Sequence, residues 1–325
     1  ASARLSFDHQ GPSLLKLDPI SPEPIEWPVA GAFSNWPADL AQALDLITSV
    51  WQHWAPGGFS ESFLLEINTR ALFNDQGSKL GLGSSAAVAV LLSGLAQCLD
   101  RDQRFGQPDP SKLDLQAWHQ RLWDLHQSGQ GSGLDLATVL AGGLIAYTKP
   151  KSVDDCPSAQ AQWSPLAWPK ALYGRVVWTG ESASTPGMLQ GYRDWKARAP
   201  GQCADVMGAL GQCATDVIDA LNRGDLDGFI EGFTDYGVRM GTMGGLIERP
   251  VVTEAHAAVA KLAGAHQIGY KPSGAGGGDI GLLLSQDPER LVHLVGGIEA
   301  LGMTSIELVV DPNGWMLDTG EQTCE

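Results

Sequence analysis

Short alternations of apolar and polar residues open the chain. Ala3, Leu5 and Phe7 alternate as a strand does, and Phe63 to Ile67 within SFLLEIN predicts another. Between them, Asp39–Trp54 spaces its apolar positions three and four apart, the pattern of an amphipathic helix. From Ser84, SSAAVAVLLSGLAQCLD is almost continuously apolar, so the helix predicted there is covered on most sides. Ser111–Gly129 predicts a helix with Leu115, Trp118, Leu122 and His126 on one face. GLIAYTK and YGRVVWTGE read as strands. Gln202 to about Met240 reads as helix interrupted near Gly211 and Gly224, and VTEAHAAVAKLAGA as one more. The tail predicts a helix at Pro288–Leu301 and a strand at Ser305–Val310. This order of elements is that of an α+β protein with an N-terminal lobe, 1–165, and a C-terminal lobe, 166–325.

Composition narrows the function. The 325 residues carry 21 basic and 37 acidic side chains, a formal charge of -16, which argues against a nucleic-acid or anionic-membrane surface. No run of 18 apolar residues occurs. The five cysteines lack the paired short spacing of a zinc site and read as reduced structural thiols, which predicts a cytoplasmic protein. The seven histidines form no ligand-spaced cluster and read as helix histidines with satisfied rings. The eleven tryptophans read as core residues, with an aromatic wall for a nucleotide base near Trp51–Trp54 as the alternative. Glycine is the outlier at 40 residues, and it clusters.

Three clusters carry candidate chemistry. GLGSSAAVAV places Gly81 and Gly83 before Ser84 and Ser85 at a helix start, where free N–H groups and the helix field attract phosphate. The two hydroxyls are oxygen ligands of the kind magnesium takes. The run is neither a P-loop, which ends in Gly-Lys-Ser/Thr, nor a dinucleotide fingerprint. GQGSGLDLA sets Asp135 just inside a second helix start, where it serves the helix field or stands as a fixed carboxylate between a phosphoryl donor and an acceptor. KPSGAGGGDIG packs five glycines into the eight residues from Gly274 to Gly281, more than a plain turn needs, so a close approach to ligand or backbone is predicted.

Together these passages resemble the GHMP kinase superfamily. GLGSSAA is similar to its second motif and GAGGGD to its third; KPSGAGGGD with WTGESAST (Trp178–Thr185) and GSGLDLA (Gly131–Ala137) resembles the phosphomevalonate kinase branch. The resemblance covers essentially all of the chain and implies two α+β lobes with the active site in the cleft between them. It implies ATP and Mg²⁺, held by Lys79, Gly81, Leu82, Gly83, Ser84, Ser85 and Ala86, with Ser84 and Ser85 as the metal ligands. Asp135 matches the catalytic aspartate, while Ser132, Gly133, Lys271, Ser273, Gly274, Ala275 and Gly276 fall at the substrate. Apart from the resemblance, Arg175, Arg193 and Lys196 read either as solvated surface cations or as candidates for clamping an acceptor phosphate. The acceptor implied is a small phosphorylated acid, phosphomevalonate, for a monomeric or homodimeric enzyme. A relative acting on a hydroxyl and a nucleotide-binding protein without turnover are the alternatives. The family's first motif, PGK…GE with its lysine, does not occur in the sequence, which predicts a separate or missing segment, including the first strands, upstream of Ala1.

Overall fold

The computed structural model describes residues 1–7, 11–27, 40–54, 62–74, 77–97, 114–127, 131–149, 160–183 and 185–318. Two compact units emerge: Ala1–Leu166 together with Asp311–Glu325, and Ala167–Val310.

In the first unit, β1 (Ser2–Ser6), β2 (Leu14–Asp18), β3 (Ile25–Glu26) and β4 (Leu64–Asn68) form a mixed sheet in the order β1-β4-β2-β3. β1 runs antiparallel to β4 with Leu5 opposite Leu65, and β2 runs parallel to it with Leu15 beside Leu65. The two-residue period sends Leu15, Leu17, Leu65 and Ile67 into the core, while Lys16 and Glu66 pair on the outer side at 3.0 Å. Two helices, α1 (Ala41–Trp54) and α2 (Ser84–Gln97), pack on each other and share that core. α2 is buried on several sides, as its continuous apolarity predicts: Ala86, Ala89, Val90 and Leu92 have no solvent exposure. After α3 (Leu115–Gln127) and α4 (Leu134–Ala141) comes the hairpin of β5 (Leu144–Thr148) and β6 (Gln162–Leu166).

The chain then returns. Expected in the C-terminal lobe with the rest of 166–325, the segment from Asp311 belongs to the first unit. The cause is Trp315, whose ring meets Trp118 edge-on at 5.0 Å and fills the space beside Gly94 of α2.

The second unit is an antiparallel sheet, β10-β7-β9-β8, of β7 (Tyr173–Trp178), β8 (Gly269–Pro272), β9 (Ile280–Ser285) and β10 (Thr304–Glu307). Its helices are α5 (Thr185–Arg198), α6 (Pro200–Asn222), α7 (Leu226–Leu246), α8 (Glu254–Ala265) and α9 (Pro288–Ala300). The expected break at Gly211 does not occur: α6 runs through it, anchored on either side by buried Leu210 and Cys213. The break at Gly224 does occur, and Asp225 starts α7 by accepting the Gly228 N–H at 2.9 Å. Val177, Val259, Leu283, Leu294 and Ile298 form one core cluster, and Trp195, Cys203, Met240 and Val251 another.

Candidate functional site

The segment before α2 is a tight return. Asn74 N–H bonds Ser78 O at 2.9 Å and Leu80 N–H bonds Leu72 O at 3.0 Å, which sets Lys79, exposed, just ahead of Gly81. Gly81 and Leu82 are exposed, and Ala86 is fully buried and seats the first turn. Ala87 N–H takes the Gly83 carbonyl at 3.0 Å as the first helical bond, so the amides of Ser84, Ser85 and Ala86 head the helix without intrahelical acceptors. Lys79, Ser84 and Ser85 line one cavity of about 160 Å³.

The rest of that cavity is largely apolar. Leu17, Ile20, Ile47, Ile67, Phe73 and Val88 make it apolar, and Asp18 and Thr69 stand in its wall. The Arg70 guanidinium donates to the Asp18 carboxylate and holds its pKa below the usual range. Trp51 is the core residue expected of the tryptophans and not the alternative base wall: it is only 2% exposed and packs with Trp27 and Phe63. Apolar ring area of that size is held by the core rather than by a rim. The side chain of Trp54 lies outside the described residues.

Asp135 sits in the first turn of α4, a helix packed on α2. Its Oδ1 accepts from Leu136 N–H at 3.0 Å. The turn before it is gripped by three side chains: Trp123 Nε1 donates to Gly131 O (3.2 Å), the Tyr147 hydroxyl to Ser132 O (2.6 Å), and His119 Nε2 to Gly133 O (2.8 Å). Ser132 is exposed and its Oγ accepts from Leu134 N–H at 3.2 Å. Gly133 turns left-handed at φ 71, and a Cβ there would lie 2.9 Å from His119 Nε2, so a side chain is excluded twice over. Burial lowers the His119 pKa, against the opposing pull of the Gly133 bond and the Asp135 charge. Burial, and then Asp135, raise that of the Tyr147 hydroxyl. None of these donors was read from the sequence. The available signal was that His119 and Trp123, four apart, share a face of α3 beside a turn rich in bare carbonyls.

The third glycine turn belongs to the second unit. Gly274, Gly276, Gly277, Gly278 and Asp279 all have positive φ. Four anchors fix it: Ser273 N–H to Ile280 O (2.9 Å), Gly277 N–H to Val251 O (2.8 Å), Asp279 N–H to Glu181 O (2.6 Å) and Thr179 N–H to Asp279 O (2.9 Å). The last two join it to the WTGESA segment, whose Ala183 N–H also reaches Asp279 Oδ1 at 3.3 Å. At Gly278 a Cβ would lie 2.9 Å from Glu181 O. Gly274 and Ala275 are exposed, Ser273 half-buried and Gly276 buried. Lys271 is placed otherwise than a phosphate ligand would be. Its ammonium donates to Pro272 O at 2.9 Å and lies over the rings of Phe233 and Tyr236 at 5.4 and 5.7 Å. Burial pushes its pKa down to about 8. Arg175 is engaged as well, donating to Ser305 Oγ at 2.7 Å.

Among the described residues no helix is long and apolar enough to cross a membrane. The fold is that of the GHMP kinases. The chain superposes on the Lin0012 protein of Listeria innocua with a TM-score of 0.76 at 22% identity, over 95% of this chain and 87% of the other. On the phosphomevalonate kinase of Streptococcus pneumoniae in complex with phosphomevalonate and AMPPNP the score is 0.68 at 19% identity, over 94% and 89%. In sequence it is 28% identical to the phosphomevalonate kinase of Streptomyces sp. (strain CL190) over 267 residues, 75% of this chain and 68% of that one. No protein-family profile matches the chain.

Proposed function

We propose that this protein is a cytoplasmic GHMP-type kinase of the phosphomevalonate kinase branch, moving the γ-phosphoryl group of ATP to the phosphate of phosphomevalonate to give diphosphomevalonate and ADP. The observation that carries this reading is the cavity at the head of α2, where Lys79, Ser84 and Ser85 adjoin apolar walls. Free helix amides and a lysine suit a polyphosphate, and an apolar pocket beside them suits a flat base. The Ser84 and Ser85 hydroxyls at the same cavity are hard oxygen donors and fit Mg²⁺, which supplies charge neutralisation at the phosphates when bound.

Asp135 then acts as a fixed carboxylate. A phosphomonoester acceptor has its second pKa near ~6 and is largely ionised at neutral pH, so orientation matters more than proton removal. Ser273 to Gly276 serve the transferred phosphoryl group, and Lys271 orders the strand that delivers them. The Streptococcus pneumoniae enzyme's pair of ligands and the sequence likeness to the Streptomyces enzyme support this choice of acceptor.

Phosphorus NMR of the protein with ATP, Mg²⁺ and either phosphomevalonate or mevalonate tests the reading. Diphosphomevalonate is the expected product. Preferential consumption of mevalonate would keep the kinase and replace the acceptor. ATP binding with neither acceptor consumed would identify a nucleotide-binding protein without turnover.

A further inference from the structure

We propose that His119 is a positioning residue for Asp135: with Tyr147 and Trp123 it holds three successive loop carbonyls and so fixes the start of α4. The kinetic part of this inference rests on the role proposed for Asp135; the geometry does not.

The three donors come from two elements, His119 and Trp123 from α3 and Tyr147 from β5: Trp123 takes the carbonyl of Gly131, Tyr147 that of Ser132 and His119 that of Gly133. A turn of this kind, with a left-handed glycine at its end, otherwise has peptide planes free to rotate. Once each carbonyl is bonded toward the protein, one orientation remains, and α4 follows from it with Asp135 in its first turn. Gly133 closes the fit, because only a hydrogen leaves room for the His119 and Tyr147 polar atoms.

The His119 ring is fully enclosed. It has no solvent exposure, and its ring lies against Trp163 at 5.3 Å and Tyr147 at 6.0 Å. Nε2 faces a carbonyl and must carry the proton, whereas Nδ1 is buried with no hydrogen-bond partner among the described residues. A proton placed on Nδ1 would be a buried donor without an acceptor. The neutral Nε2–H tautomer is therefore the form this pocket selects, and it is the form that grips Gly133.

Two substitutions separate gripping from mere filling. His119→Gln carries an amide donor close to the place of Nε2; His119→Met fills the volume and donates nothing. The Met variant should lower kcat for transfer to phosphomevalonate by about 10- to 100-fold, the scale of a small misplacement of a reacting group. KM for ATP should stay within roughly threefold, since that binding is not what is lost. The Gln variant should recover most of the rate.

Nitrogen NMR of the ¹⁵N-histidine-labelled protein should show His119 as the neutral Nε2–H tautomer. Hydrogen exchange at Leu134–Leu136 should quicken in the Met variant and not in the Gln variant. These two readouts need no turnover, so a wild type that transfers nothing would overturn the kinase reading while they still decide the clamp. If His119→Met does not fold, Tyr147→Phe removes one donor and should show the same kcat loss. Wild-type rates in both, an equally impaired Gln variant, or an Nδ1–H tautomer would each overturn the proposal.

Discussion

His256 Nε2 lies 3.1 Å from the carbonyl oxygen of Gly278, so a histidine without solvent exposure holds the third glycine turn at one of its crowded glycines. The other ring nitrogen accepts the Tyr270 hydroxyl at 2.7 Å, which puts the donating proton on Nε2. The ring is thus tied to α8, β8 and the turn at once.

Acid should test that tie. Burial lowers the His256 pKa in the folded protein, although the Gly278 bond, Glu181 and Asp279 pull the other way. As pH falls through about 6.5, the unfolded imidazole takes up a proton that the folded one resists, so stability declines below that value. His256→Gln keeps a donor and an acceptor but does not titrate. Its melting temperature should fall less than the wild type's between pH 7.5 and 5.5, read by circular dichroism. Equal falls would show that His256 is not the titrating group.

At the head of α2, Ser85→Ala removes a hydroxyl that lines the cavity without disturbing the buried Ala86 beneath it. Stability should change by no more than a capping loss of about 1 kcal/mol. Turnover should drop and the Mg²⁺ requirement rise, measured as the magnesium concentration at half-maximal rate. Ser84→Ala is the paired variant, and the larger shift identifies the metal ligand. No change in either would assign both hydroxyls to the wall alone.

Asp135→Asn keeps the size and the acceptor for Leu136 N–H but loses the charge. Transfer should slow by about 100-fold or more while ATP and acceptor still bind, as single-turnover kinetics and calorimetry would show. The wild-type profile with phosphomevalonate should follow the acceptor's own ionisation near ~6. A fully active Asn variant would remove Asp135 from the mechanism.

Lys271 makes a prediction at the alkaline side. Its pKa is lowered by burial to about 8, whereas the unfolded side chain keeps the ordinary value. Between about 8 and 10 the unfolded chain holds a proton that the folded one has released, so stability contributed at this site rises with pH. Lys271→Met has no such gain. The wild type should improve relative to it from pH 7 to pH 9 in thermal melts; parallel curves would contradict the burial.

Much of this was legible because the signals are local. The helix at Ser84 and the glycine turns before it follow from nearly unbroken apolarity and from residues that tolerate left-handed backbone. β2 was not read, because LLKLD runs into a proline-rich stretch and is too short to establish a period by itself. α5 was not read either: TPGMLQGYRDWKAR has few apolar residues, and its burial centres on one tryptophan, Trp195. The apolar cavity at α2 draws Leu17, Ile47, Ile67 and Phe73 from four separate stretches, which no window along the chain brings together. Side-chain donors to loop carbonyls are hidden for the same reason, although the i, i+4 spacing of His119 and Trp123 was in plain view.

The return of Trp315 to α2 has a consequence for the order in which the protein is made. A ribosome finishes residues 1–166 long before it reaches the tryptophan that seats beside Gly94, and the whole of Ala167–Val310 emerges in between. The second unit is contiguous and can condense as it leaves the tunnel. The first must wait, with the apolar surface around Trp118 open, until the last stretch arrives. Nascent chains halted before Asp311 should therefore be the species that chaperones hold and proteases cut.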